Sequence, residues 1–295
     1  MLLQQLANGL TLGSIYALFA LGYTMVYGVL LMINFAHSEI FMVGAYCGLG
    51  ILSHLALGNS ASLLFVVISA ALLAAGLLAV LVERVAYRPL RHAPRLAPLI
   101  SAIGISIFLQ NAVMLGISAQ SLPYPEKITV TQLQLGGATV NSLQILIFSL
   151  AIGLMLLLNL FLRRTKLGKA MQAIAQNHTV SQLMGINVNA IIALTFFIGG
   201  GLGGVAGALN GFYYGSIKYN MGFFPGIKAF TAAVLGGIGN IHGAMLGGFI
   251  LGILEVFAAG YISSEYKDAI AFLVLIVVLI FRPGGLLGEQ ITEKI

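Results

Sequence analysis

Charge is what this sequence has least of. Only 7% of its 295 residues are Asp, Glu, Lys or Arg, where a soluble domain carries about a quarter. So few charges cannot cover a globular surface, and most of the surface must face lipid. A single cysteine, Cys47, excludes an intrachain disulfide and any cysteine cluster for a metal. No H-E-x-x-H, no G-x-S-x-G and no Walker A sequence is present. Those absences argue against metal-assisted hydrolysis, a nucleophile elbow and P-loop binding of ATP by this chain. The opening MLLQQLANGL has no basic residue, so the first apolar stretch reads as a retained span and not as a cleaved leader.

What is present is length without charge. Residues 62–82, 143–162 and 188–217 run uncharged. Unbroken apolar runs of about 20 residues indicate membrane helices, not the alternation of barrel strands. The expected fold is therefore all-α: one polytopic helical membrane domain over 1–295, with about eight transmembrane spans and some broken or re-entrant segments. The net charge of +6 does not point to nucleic acid, because eight of the fourteen basic residues fall in two short clusters. Arg84, Arg88, Arg91 and Arg95 form one; Arg163, Arg164, Lys166 and Lys169 form the other. Lys and Arg resist translocation, so both clusters mark the cytoplasmic side. Between them 96–118 crosses outward, 119–142 is an outer loop, and 143–162 returns. The run 188–211 leads out again, and the final apolar run leads back to Arg282. The side of the N-terminus stays open.

Two segments fit this frame poorly. INFAHSEI (33–40) interrupts the first pair of spans, and LGGIGNIHGAM (235–245) interrupts the stretch 226–260. Broken helices in two halves of a chain point to a transport path. Asn34, His37, Glu39, Asn240 and His242 are thus path candidates, together with Glu255, the one charge in 241–264. An intramembrane charge is costly and faces the bundle interior or water. The alternative for each is an anchor or an interhelical hydrogen bond. His54 and His92 read as interfacial and loop histidines. GGGLGGVAGALNG (199–211) contains a formal G-x-G-x-x-G, but no strand precedes it and no acidic residue follows at the right distance. Gly199, Gly203, Gly207 and Gly211 instead form a smooth stripe for close helix packing, with Gly200, Gly204 and Ala208 as a second.

The wet insert 163–186 has the spacing of one or two short amphipathic helices. Leu167, Ala170, Met171, Ile174 and Ala175 share a face. Asn177 breaks the helix, Thr179 is positioned to cap a second turn, and Gly185 to end it in a left-handed conformation. A surface for docking a soluble partner uses such a loop better than a plain anchor does. Met171, Ile174 and Ala175 are the expected contact face, with the basic cluster against lipid headgroups.

Five blocks now resemble a known family: GYTMVYGVLLMINFAHSEIFMVGAY, ERVAYRPLR, LISAIGISIFLQN, GINVNAIIALTFFIGG and KAFTAAVLGGIGNIHGAMLGGFILG. They are similar to permease subunits of bacterial ATP-binding-cassette importers for branched-chain amino acids, the smaller of the paired permeases. The resemblance implies a second related permease, two cytoplasmic ATP-binding-cassette subunits, a periplasmic substrate-binding protein and an inner-membrane location. It implies that ATP is bound and hydrolysed on the partner subunits, with no cofactor in this chain. In such permeases a cytoplasmic helix with the pattern A-x-N-x-x-x-x-x-x-x-G-I enters a cleft on the ATPase. Ala175, Asn177, Gly185 and Ile186 match it, and Gly168, Met171 and Ile174 are grouped with them as coupling residues. The chain departs from the pattern at Ser38, where a glycine is common, and at the neutral pair Gln176–Asn177. Alternatives are the same importer class carrying urea or short amides, a secondary transporter, and a membrane enzyme. The docking insert argues against the secondary transporter, and the missing catalytic sets against the enzyme.

The topological frame has a direct test. In a Cys47→Ala background, an impermeant thiol reagent applied to intact spheroplasts should label Pro125→Cys and leave Lys166→Cys unlabelled. The reverse pattern overturns the frame.

Overall fold

The computed structural model describes residues 1–54, 60–91, 93–94, 96–125, 131–135 and 138–288. His92 and Arg95, and parts of the outer loop, lie outside the described residues. Among these residues six helices are long and apolar enough to cross a membrane. In chain order the helices are α1 (Leu2–Leu30), α2 (His37–His54), α3 (Ser60–Val82), α4 (Leu96–Gly116), α5 (Ser142–Arg164), α6 (Lys166–Gln176), α7 (His178–Leu183), α8 (Val188–Tyr214), α9 (Phe223–Gly236), α10 (Ile241–Tyr261) and α11 (Lys267–Phe281). A π-turn (Glu83–Tyr87) and a 3-10 turn (Arg88–Leu90) extend α3.

Contacts between the helix ends orient the bundle. Arg163 at the end of α5 lies beside His242 at the start of α10, and Arg91 donates to Asn189 at the start of α8. One end of the bundle therefore carries both basic clusters. At the other end Gln4 of α1 accepts from the backbone of Thr139, and Gln144 of α5 donates to Asn8. The N-terminal end of α1 thus lies opposite the basic end. From α1 through α5 and on to α8 the long helices alternate in direction; α10 runs the same way as α8, because α9 returns the chain to the basic end between them, and α11 runs back. The ninth, α9, is different. Its first residues sit beside Ser38 of α2, below the outer ends of the neighbouring helices, and it runs only to the basic end. At about 1.5 Å per residue its 14 residues reach about 21 Å, less than a hydrocarbon core of about 30 Å. It is the re-entrant segment.

The outer loop contains strands that hydropathy did not indicate. β1 (Leu122–Pro123) pairs antiparallel with β4 (Ser216–Ile217), and β2 (Gln132–Leu135) with β3 (Ala138–Asn141). The first pair ties the 117–125 loop to the end of α8 and seats Tyr124 against Gly48 and Gly211.

At the centre stand α1 and α8. Nearly all of the apolar stretch of α1 is buried within the chain, whereas most of α4 is exposed on the outside of the bundle. α8 uses two small-residue stripes. Gly199 faces Gly22 of α1, Gly203 faces His37, and Gly207 faces the backbone of Phe41 on α2. One step around the helix, Gly200 and Gly204 meet Ala79 and Ala75 of α3. On α1, Gly9 and Gly13 do the same against Ile253 and Phe249 of α10. Lipid gives helices no hydrophobic reason to associate, so close backbone approach does the work. At the basic end, Leu286 and Leu287 follow α11 and donate their backbone N–H groups to the carbonyls of Leu235 and Gly236, capping α9.

A side chain at Gly207 would overlap the Phe41 carbonyl, whereas Gly153 on α5 has open space around it. Gly207→Leu should destabilise the chain by about 1–3 kcal/mol, the usual cost of overpacking, while Gly153→Leu should be neutral. Thermal unfolding in detergent, followed by dye labelling of the half-buried Cys47, reads the difference.

Candidate functional site

The break between α1 and α2 brings three of the path candidates to one level but in different surroundings. Asn34 Oδ1 accepts from the backbone N–H of Ala36 at 3.1 Å and from the Tyr87 hydroxyl at 3.0 Å. It ties the break to the turn below α3. His37 is buried in the notch left by Gly22 and Gly203, its ring centroid 5.3 Å from that of Phe19 and 4.7 Å from that of Tyr23. Both side chains thus hold helices together. Glu39 is fully buried, and its Oε1 accepts from Ser38 Oγ at 3.2 Å, Ser106 Oγ at 3.1 Å and Gln110 Nε2 at 2.9 Å. In front of these donors lies a cavity of about 540 Å³ between α1, α2, α4 and α9.

The second break lies elsewhere. Asn240 caps α10, accepting from Gly243 N at 3.1 Å and donating to the Leu287 carbonyl at 2.8 Å. His242 is exposed at the basic end, 3.5 Å from the Arg163 guanidinium. Asn240 and His242 therefore do not meet Asn34, His37 and Glu39. They line a separate hollow of about 610 Å³ with Arg163 and Gly284.

Glu255 has partners that the sequence reading missed. Lys228 Nζ donates to Glu255 Oε1 at 2.7 Å and pairs with Asp268 Oδ1 at 2.7 Å. The Tyr16 hydroxyl donates to Glu255 Oε2 at 2.9 Å, and Lys267 lies 3.8 Å from Oε1. The cluster joins α1, α9, α10 and α11. Lys228 is the one basic residue inside α9. An intramembrane lysine with an intramembrane glutamate in the next helix was the signal available. Ser106 and Gln110 were legible in the same way, as polar residues one turn apart on an apolar helix. Nearer the basic end, the fully buried Glu83 pairs with Arg88 at 2.9 Å and with Arg91.

The coupling candidates sit on α6 and α7, which form a bent pair across the basic end. Thr165 caps α6 through Gly168 N at 3.0 Å. The cap of α7 is Asn177, whose Oδ1 accepts from Val180 N at 3.0 Å. Thr179 does not serve: Asn177 has the extended backbone of a cap and already holds the orphan donor. Gly185 adopts φ +83°, and the Ile186 N–H returns to the Ser181 carbonyl at 3.1 Å. The contact face also needs correction. Met171 and Ile174 are buried at 2% and 0% exposure, and Gly168 lies against the backbone of Phe161 and Leu162. They fasten α6 to the bundle, where burial is worth roughly 1.5–3 kcal/mol for each large side chain. His178 adds a 2.9 Å contact to the Val29 carbonyl. What faces outward is Ala175 with Val180, Leu183 and Met184, the last two 82% and 77% exposed.

A re-entrant helix beside a mid-depth cavity, with a rigid amphipathic pair closing one end, defines a multi-pass membrane permease. The chain belongs to the family of permease components of branched-chain amino acid transport systems, which it matches over residues 5–279. It is 49% identical over 300 residues to the high-affinity branched-chain amino acid transport permease BraD of Pseudomonas aeruginosa, covering 99% of this chain and 98% of that one. Identity to the LivH permease of Escherichia coli is 46%, over 99% and 97% of the two chains. Identity to the probable branched-chain amino acid permease LivH of Methanocaldococcus jannaschii is 30%, over 96% and 91%.

Removing one partner of a buried ion pair costs about 3–5 kcal/mol, while replacing the pair with apolar groups costs far less. Glu255→Leu should therefore lower the unfolding temperature sharply, and Lys228→Met added to it should recover much of the loss. The same Cys47 dye assay measures both.

Proposed function

We propose that this chain is a membrane-spanning subunit of an ATP-driven importer that moves branched-chain amino acids, leucine, isoleucine and valine, inward across the bacterial inner membrane. A second related permease stands beside it. Two cytoplasmic ATP-binding-cassette subunits bind and hydrolyse ATP, and a periplasmic binding protein delivers substrate. This chain holds no cofactor of its own. The substrate class is supported by the relatives' names.

The observation that carries the coupling role is the α6–α7 pair. One face is fastened to the bundle by Met171, Ile174 and Gly168, and the other presents Ala175, Val180, Leu183 and Met184 to water. Exposed apolar residues on a rigid element mark an interaction site. The pair joins α5 directly to α8, so a subunit that grips it moves both helices. Asn177, Gly185 and Ile186 set the angle of the pair and do not provide its contact face.

Ala175→Glu and Leu183→Glu place a charge where a docking groove would have to desolvate it without repayment. Both variants should insert and fold like the parent chain but lose copurified ATPase subunits by more than tenfold, and with them the ATPase stimulation by leucine-loaded binding protein. Met171→Ala should instead lower the stability of the permease itself. Unchanged copurification in both glutamate variants overturns the coupling role, and failure of the intact complex to take up leucine overturns the substrate class.

A further inference from the structure

Glu39 is a buried carboxylate with a missing partner. Its Oε1 takes three hydrogen bonds, from Ser38, Ser106 and Gln110, while its Oε2 is buried and has none. Among the described residues no basic side chain pairs with it, in contrast to Glu83 and Glu255. An ionisable side chain buried in a membrane protein without an ion-pair partner points to a functional site.

The three donors stand between the carboxylate and the cavity, and all three line it. Their own bonds fix what they offer. Gln110 gives one Nε2 hydrogen to Glu39 and keeps its Oε1 as an acceptor. Ser106 spends its single hydroxyl hydrogen on Glu39 and keeps lone pairs. The polar wall of the cavity thus presents hydroxyl and amide oxygens in front of a buried carboxyl group, surroundings that suit an ammonium group. Beyond it the walls are apolar, with Ile103 and Ile107 from α4, Phe35 from the break, and Ile227 and Phe230 from α9. The re-entrant α9 opens on the same space. Its first residue, Phe223, lines the cavity.

We propose that this cavity is a mid-membrane binding site for an aliphatic amino acid, with the α-ammonium on Ser106 and Gln110 over Glu39 and the side chain between Ile103, Ile107 and Phe230. The assignment rests on the permease function above and names the place in this chain where substrate pauses.

The test uses the complete importer in nanodiscs with a single reporter, Ile107→Cys in a Cys47→Ala background, and the probes L-leucine, 3-methylbutylamine and 4-methylpentanoate. L-Leucine and 3-methylbutylamine, which carry the ammonium, should slow thiol labelling of the reporter at least fivefold, and 4-methylpentanoate should not. Glu39→Gln should abolish the protection and cut leucine uptake at least tenfold while the complex copurifies in parent amounts. Gln110→Ala, which leaves the carboxylate in place, should weaken protection in the same direction. It decides the matter if Glu39→Gln fails to assemble. Protection that survives both substitutions, or equal protection by 4-methylpentanoate, overturns the site. So does a reporter that no reagent reaches with or without leucine, because the partner permease then fills the cavity. Leucine uptake by the parent complex, together with unaltered uptake in both variants, overturns this site alone and leaves the importer function standing.

Discussion

In hydrocarbon a helix gains little by leaving lipid for another helix, so contact between backbones must supply the difference. This chain meets that constraint by keeping side chains out of the way. α1 touches α10 through Gly9 and Gly13, and α8 touches α1, α2 and α3 through Gly199, Gly207, Gly200 and Gly204. Everything else follows from those approaches. The notch at Gly22 and Gly203 is the space that His37 fills, and His37 opens the helix that carries Glu39. With α1 and α8 fixed at the centre, α4 is left on the outside of the bundle.

Against this neutral scaffold the buried charges divide into two kinds. Glu83 and Glu255 are paired with basic residues of the chain itself; the Glu83 pairs fasten the turn that follows α3, and the Glu255 cluster joins α1, α9, α10 and α11. Such pairs are poor sources of stability but expensive to break, so they hold one arrangement against others. Glu39 is hydrogen-bonded by hydroxyl and amide groups and has no ion-pair partner among the described residues. The same residue type thus serves fixed architecture in two places and an open position in the third.

Much of the architecture was legible in the sequence because it follows from local rules. The two basic clusters fell at one end of the bundle, the apolar runs fell on its long helices, and the Asn-containing breaks at 33–40 and 235–245 fell where α2 and α10 begin. Gly185 was legible for the same reason, since a left-handed turn after a helix calls for glycine. The cap of α7 was misassigned to Thr179 because both Asn177 and Thr179 suit the position, and only backbone geometry separates them. The orientation of α6 was illegible for a deeper reason. An amphipathic pattern says that Met171 and Ile174 are buried, but not whether they are buried by this chain or by another. The pairing of Lys228 with Glu255, and of Ser106 and Gln110 with Glu39, depends on which helices become neighbours, which periodicity does not record.

The clasp at the basic end bears on how the chain is made. The last carbonyls of α9 are capped by Leu286 and Leu287, and the Asn240 amide grips the Leu287 carbonyl. Those residues follow α11. As synthesis proceeds, α9 and α10 can enter the membrane and pair through Gly236 and Gly243, yet the turn between them keeps unsatisfied carbonyls until α11 has crossed and its trailing residues fold back. The re-entrant helix is therefore completed last, although it lies inside the sequence. A chain stopped just after Phe281 would have every span it needs and an unfinished floor beneath α9.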